Sequence, residues 1–141
     1  MTNLLGTPAD TLLETLGIII VEASPERVIA TMPVEAKVHQ PHGILHGGAS
    51  VALAETVASV GGMVSVAAGK AVVGLEINAN HLRPKRDGLL RATGAPLHLG
   101  RSTQLWQVEI RDESDKLVCI SRCTLAVIDL PQDAAPGRRE G

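Results

Sequence analysis

The sequence predicts an α+β domain: one long apolar helix wrapped by a curved antiparallel sheet of about six strands, with a short helix in front. Three observations predict it. Between His46 and Lys70 the chain reads HGGASVALAETVASVGGMVSVAAGK, and Glu55 is the only charge strictly inside that window. Two strand-like runs precede this segment and four follow it. The chain has 141 residues, 45% of them hydrophobic and 20% charged, which suits a single packed domain. A helix that is apolar all round has to be covered, and a sheet bent around it covers it.

The elements follow in order. Thr7 is placed to cap a first helix, Pro8 fits the first helical position and Asp10 suits the positive end of the dipole. Leu12, Leu13 and Leu16 give it one apolar stripe, and Gly17 is its stop signal. Residues 18–23 (IIIVEA) read as a strand, and Ser24-Pro25-Glu26 turns the chain into a second, Arg27 to Met32. Residues 33–45, with Pro33, Pro41 and Gly43, read as a loop, and the central helix is expected from about Gly47 to Val66. In residues 71–82 the alternation puts Val73, Leu75, Ile77 and Ala79 on one face, with Glu76, Asn78 and Asn80 on the other. Residues 89–98, 103–112 and 116–129 are the remaining strands, with Asp112-Glu113-Ser114-Asp115 as the hairpin turn between the last two. Residues 1–130 make one domain, and 131–141 (PQDAAPGRREG) read as a disordered tail.

Composition narrows the function. A formal net charge of −2 gives no electrostatic footprint for nucleic acid, and an anionic ligand would need a local basic cluster. There is no Phe or Tyr and one Trp, Trp106, so base-stacking platforms are lacking and the core is built from aliphatic side chains. Cys119 and Cys123 share a strand with Cα atoms roughly 13 Å apart, too far for a disulfide within it. Free thiols and an opening, Met1 to Gly6, without a basic or long apolar run lead us to expect a cytoplasmic protein. The apolar helix is long enough to span a bilayer. It is nevertheless rich in Ala, Gly and Ser, carries a central acid and is followed by no second span, so no membrane partner is expected.

Glu55 is the residue that points to chemistry. A carboxylate among Val, Leu and Ala is costly unless partnered, and such an acid is a candidate for perturbed acidity and catalysis. Gly47 and Gly48 open the same helix. An N–H there, backed by the helix dipole, is a fixed donor for negative charge, and Gly allows close approach. Ser59 lies four residues after Glu55, so its hydroxyl can orient the carboxylate.

The run QPHGILHGGASVALAETVASVGG (residues 40–62) resembles the signature of the hotdog-fold thioesterases, in the branch that holds the Arthrobacter-type 4-hydroxybenzoyl-CoA and phenylacetate-pathway enzymes. GLEINANHLRP (74–84), PLHLG (96–100) and LWQVEIRDE (105–113) extend the likeness, most closely to the 1,4-dihydroxy-2-naphthoyl-CoA hydrolases of menaquinone synthesis. The resemblance implies a hotdog fold and hydrolysis of an aromatic acyl-CoA, with no cofactor beyond the CoA of the substrate. It implies that Glu55 is nucleophile or general base, that Gly47 polarises the thioester carbonyl through its N–H, and that Gln40 holds that carbonyl or the attacking water. Ser59 and His46 fall on further active-site positions. Gly74, residues 81–84 (His81, Leu82, Arg83, Pro84) and residues 98–103 (His98, Leu99, Gly100, Arg101, Ser102, Thr103) fall on positions that contact the substrate. Arg83, Lys85, Arg86 and Arg101 are the candidate ligands of the CoA phosphates, Arg being well matched to them. Pro84-Lys85 departs from the less basic, more flexible pair expected there, so the 3′-phosphate contact is expected to differ.

Spacing adds an assembly. Gly47 and Glu55 are eight residues apart on one helix, roughly 12 Å along its axis, too far to reach one carbonyl carbon together. A two-fold dimer in which one chain supplies Gln40 and Gly47 and the other Glu55 solves this and makes two equal sites. The resemblance implies the same, with dimers paired into a tetramer.

Other chemistries fit less well. His39, His42 and His46 do not share a regular helix face and are joined by no Cys, so no metal is expected. No GxSxG elbow is present for a serine hydrolase. A hydratase or dehydratase on the same fold and a non-catalytic acyl-CoA sensor are the competing functions. Without an aromatic wall, the acyl pocket is expected to be aliphatic, lined by Val51, Leu53, Val57 and Val60, and compatible with other aryl or medium-chain acyl groups.

Overall fold

Two glycines near the end of the long helix and a single tryptophan decide how close the helix and the sheet can come. The computed structural model describes Gly6 and residues 8–130. Its elements are α1 (Leu12–Leu16), β1 (Ile19–Ala23), β2 (Val28–Pro33), a 3-10 turn (Ala36–Val38), α2 (Gly47–Ser65), β3 (Lys70–His81), β4 (Leu89–Leu99), β5 (Thr103–Arg111) and β6 (Leu117–Asp129). All strand pairs are antiparallel, in the order β1-β2-β4-β5-β6-β3, so β1 and β3 are the edges of an open sheet. Trp106 on β5 is wholly buried, and a Cβ placed on Gly61 would lie 2.4 Å from its ring. A Cβ on Gly62 would lie 2.6 Å from Leu125 of β6. Gly costs a helix about 1 kcal/mol relative to Ala. Here it lets the backbone of α2 lie directly on the sheet.

Period-two alternation supplies the other half of the core. Val28, Ala30 and Met32 of β2, Leu90 and Ala92 of β4, Trp106, Val108 and Ile110 of β5, and Cys119, Cys123 and Leu125 of β6 pack on Leu53, Ala54, Val57 and Ala58 of α2. The indole N–H donates to Gln104 Oε1 at 2.9 Å, so the one buried aromatic has its polar atom satisfied. The two cysteines are free.

The structure revises three expectations. Thr11, not Thr7, takes the N-cap position of α1: Asp10 just before it has φ 59°, which breaks the helix there, and its N–H donates to Glu14 at 2.6 Å. Thr7 and the tail at 131–141 lie outside the described residues. In β3 the inward set is Val72, Ile77 and Ala79, while Val73 and Leu75 are exposed, because a bulge between Gly74 and Glu76 leaves Leu75 without a partner on β6. One extra residue shifts the alternation by one, and every side chain before it changes face. Finally, α2 is buried on one face only. Val51, Ala52, Glu55, Thr56, Ser59 and Val60 are half-exposed, and Met63 and Val64 are exposed.

Candidate active site

The first turn of α2 leaves the Gly47 N–H free. His46 caps the helix: its Nδ1 accepts the Gly48 N–H at 2.8 Å, which leaves the ring proton on Nε2. The Ala49 N–H reaches the His46 carbonyl, and the His46 N–H reaches Val38. Among the described residues, the Gly47 N–H has no partner. The dipole of a 19-residue helix adds positive potential at that point. Gln40 stands nearby, held through its Oε1 by the His42 N–H, so its two amide hydrogens remain to donate. The His81 ring lies against the Cα of Gly47, where a Cβ would come within 2.9 Å of Nε2. Gln40, Gly47, Ser50, His81, Leu82, Arg83 and Pro84 share a cavity of about 330 Å³.

Glu55 opens into a different cavity. It sits on the open face of α2, two turns further on, in a space of about 550 Å³ with Ser59, Thr56, Val51, Ala52 and Val60 of α2 and with Leu12 and Leu13 of α1. Its carboxylate reaches across to the bulge in β3: a Cβ on Gly74 would lie 2.5 Å from Glu55 Oε1. The bulge and the bare Cα thus make the berth for the acid. Cys123 lies beneath. Burial, then the Glu55 and Glu76 carboxylates, push its thiol up to about 11.

The site residues expected from the sequence therefore fall into two groups within one chain. Gln40, His46, Gly47 and His81–Pro84 gather at the start of α2, while Glu55, Ser59 and Gly74 gather near its middle. Of the expected acyl pocket, Val51 and Val60 line the Glu55 cavity, but Leu53 and Val57 are wholly buried on the opposite face of α2 under the sheet. The turn at 98–103 is elsewhere again. The Gly100 N–H closes it on Thr103 at 2.9 Å, His98 lies over Gly100, and Ser102 accepts from Val127. Through β6 this turn is level with Val73 and Gly74, whereas His81 is level with Cys119, about 20 Å away along the strand.

The basic residues divide as well. Lys85 is bound to Glu113 at 2.5 Å, and its ammonium holds the Glu113 carboxyl below the usual range, so it braces the loop against the β5–β6 turn. Arg86 and His39 are tied through the backbone, His39 Nε2 lying 2.7 Å from the Arg86 carbonyl oxygen. Among the described residues, Arg83 and Arg101 are exposed and have no ion pair.

A family model described as the thioesterase superfamily matches residues 42–119. The chain belongs to the thioesterase superfamily. Its fold is the hotdog, and the protein is a thioester hydrolase. A thioesterase of Haemophilus influenzae superposes with a TM-score of 0.84 at 49% identity, over 89% of this chain and 88% of that one. The 1,4-dihydroxy-2-naphthoyl-CoA hydrolase of Listeria monocytogenes is 53% identical over 82% of this chain and 94% of its own length. The proofreading thioesterase EntH of Cronobacter sakazakii is 44% identical over 87% of this chain and 90% of its own.

Sequence reasoning on this hotdog chain missed three participants. Leu12 and Leu13 were read only as part of an apolar stripe, and they wall the Glu55 cavity. Ser50, near His46 but on a helix, was set aside as a nucleophile and not read as a donor. The bulge at Leu75 had one available signal, a Gly inside an alternating strand, which marks a bulge or a close approach.

Proposed function

We propose that this thioesterase hydrolyses the thioester of an aromatic acyl-CoA, with 1,4-dihydroxy-2-naphthoyl-CoA as its first substrate and menaquinone synthesis as its cytoplasmic setting. The observation that carries the reading is the pair on α2: an unpartnered N–H at Gly47 beside Gln40, and a lone carboxylate at Glu55. The thioester oxygen sits on the Gly47 N–H and the Gln40 amide, which polarise the carbonyl. Glu55 takes a proton from water, or adds its own oxygen, as a new C–O bond forms at the carbonyl carbon. The electron pair that moves to the oxygen returns as the C–S bond breaks. CoA leaves as the thiol after taking up a proton; where Glu55 has added its own oxygen, water then attacks the resulting anhydride and frees the Glu55 carboxylate, so a water oxygen ends in the free acid. Ser59 orients the carboxylate.

Two chains make each site. The separation of roughly 12 Å between Gly47 and Glu55, and their opening into separate cavities, support a donor set from one chain and an acid from the other. The outer edge of β3 has no strand partner in the described chain, and Val73 and Leu75 are exposed on that strand, which favours continuation of the sheet into a second copy. The hotdog resemblance extends this to a pair of dimers. Arg83 and Arg101 serve the CoA phosphates, and Lys85 does not. The aliphatic walls, Leu12, Leu13, Val51 and Val60, accept a ring without stacking on it and favour a second reading, activity on other aryl or medium-chain acyl-CoAs.

The test is thiol release from a panel of 1,4-dihydroxy-2-naphthoyl, 4-hydroxybenzoyl, phenylacetyl and aliphatic CoA thioesters, with wild type beside Glu55→Ala. We expect the naphthoyl thioester to give the highest kcat/KM, and Glu55→Ala to lose at least about 1,000-fold in kcat with its melting temperature unchanged. Turnover retained in Glu55→Ala would end the mechanism.

A further inference from the structure

Ser50 is a buried hydroxyl that the protein itself does not use. It is 1% exposed, its Oγ has no hydrogen-bond partner among the described residues, and it lines the cavity shared by Gln40, Gly47 and His81. The contrast within the same helix is informative. The hydroxyls of Thr56 and Ser65 turn back to the carbonyls of Ala52 and Gly61, at 2.7 and 2.6 Å, which is what hydroxyls on a helix do when nothing else claims them. Leaving a buried hydroxyl unpaired destabilises a fold, and native proteins do so rarely.

Position suggests what it is for. Ser50 is three residues after Gly47, on the same face of α2. Side chains on a helix lean toward its N-terminus, so that of Ser50 extends over the turn that begins at Gly47. Gly47 has no side chain in the way. The hydroxyl and the free N–H therefore border one space at the positive end of the helix.

We propose that Ser50 is a third donor to the thioester carbonyl oxygen, beside the Gly47 N–H and the Gln40 amide. The proposal rests on the thioesterase reading above. As oxygen adds to the carbonyl carbon, the C=O pair becomes a full charge on that oxygen, and the Ser50 O–H contact shortens with it. When the tetrahedral centre collapses and the C–S bond breaks, the charge and the contact relax together. No proton leaves Ser50. A donor matched to the intermediate rather than to the ground state lowers kcat when removed and leaves KM nearly unchanged.

The experiment compares wild type, Ser50→Ala, Ser50→Thr and Glu55→Ala in single-turnover and steady-state hydrolysis of 1,4-dihydroxy-2-naphthoyl-CoA and benzoyl-CoA, with thermal melts of each protein. For Ser50→Ala we expect about a 100-fold fall in kcat on both thioesters with KM little changed. Its melting temperature should be equal to or above that of wild type, since an unpaired buried hydroxyl is gone. Ser50→Thr, which keeps the hydroxyl, should recover most of kcat. Wild-type kcat in Ser50→Ala beside an inactive Glu55→Ala would overturn the role of Ser50 and leave the thioesterase reading standing. A lower melting temperature in Ser50→Ala with kcat intact would mark the hydroxyl as structural and overturn it too. Failure of wild type to cleave either thioester, or full activity in Glu55→Ala, would remove the site reading itself.

Discussion

The two faces of α2 are built from similar small and apolar residues and do opposite things. On the buried face, Gly61 and Gly62 let the helix lie on Trp106 and Leu125, Val57 packs on β4 at Gly94, and Ser50 carries the one buried side-chain polar atom of α2 without a partner among the described residues. On the other face, Ala52, Ser59 and Val60 surround a carboxylate and border open space. The first face is finished within one chain. The second presents an acid to one cavity, while the donor set at the start of the buried face opens into another, so the chemistry depends on what a second chain and a substrate bring.

The sharpest way to break this comparison is to separate the two groups between chains. Glu55→Ala and Gln40→Ala variants, each nearly inactive, are mixed in equal amounts under conditions of subunit exchange. Half of the dimers are then mixed, and each mixed dimer holds one site with both functional residues. Activity should return to about a quarter of wild type. Activity at the level of the separate variants, with exchange verified by mass spectrometry, would place both groups of one site in the same chain.

The buried face predicts a loss of stability. Gly61→Ala gains about 1 kcal/mol of helix propensity but sets a Cβ 2.4 Å from a rigid, wholly buried ring. Overpacking against a side chain that cannot move wins, and a net loss of about 3 kcal/mol in urea unfolding is expected. A neutral substitution would mean that the sheet can recede from α2. Gly74→Ala is the matching change on the open side, and its outcome has the opposite character. The new Cβ would stand 2.5 Å from Glu55 Oε1, the far end of a flexible side chain that can swing away. The fold should tolerate it, while kcat falls about 100-fold as the carboxylate leaves its berth. Equal loss of stability and activity would show that the bulge is a packing feature only.

Much of the first face was legible in the sequence. The order of elements along the chain, the extent of α2 and the hairpin at Asp112 follow from alternation, turn residues and the length of an apolar run, all of which are local. Two-sided features were not legible. The alternation of β3 assigned Val73 and Leu75 inward, because a bulge depends on the fit between Gly74 and an acid on another element. Leu53 and Val57 were assigned to the acyl pocket, because a helix apolar on every side gives no hint of which side meets the sheet. Glu55 itself stood out as a lone charge. What the sequence left out is that it is half-exposed in a single chain, since that follows from where the sheet stops.

Cys123 lies at the boundary between the faces and gives the smallest and most specific test. Its thiol is raised to about 11, first by burial and then by the Glu55 and Glu76 carboxylates. In the unfolded chain the same thiol titrates near its ordinary value of 9.0. Between pH 9 and pH 11 the unfolded state therefore loses a proton that the folded state keeps. Stability present below pH 9 falls as pH rises through that window, by up to about 3 kcal/mol. Urea midpoints measured from pH 8 to 11 should decline more steeply for wild type than for Cys123→Ala. Glu55→Gln removes one of the two carboxylates that raise the thiol, so its curve should fall between them. If Glu55→Gln tracks wild type at every pH, the carboxylate does not face the floor of the sheet at Cys123, and its berth against Gly74 is misassigned.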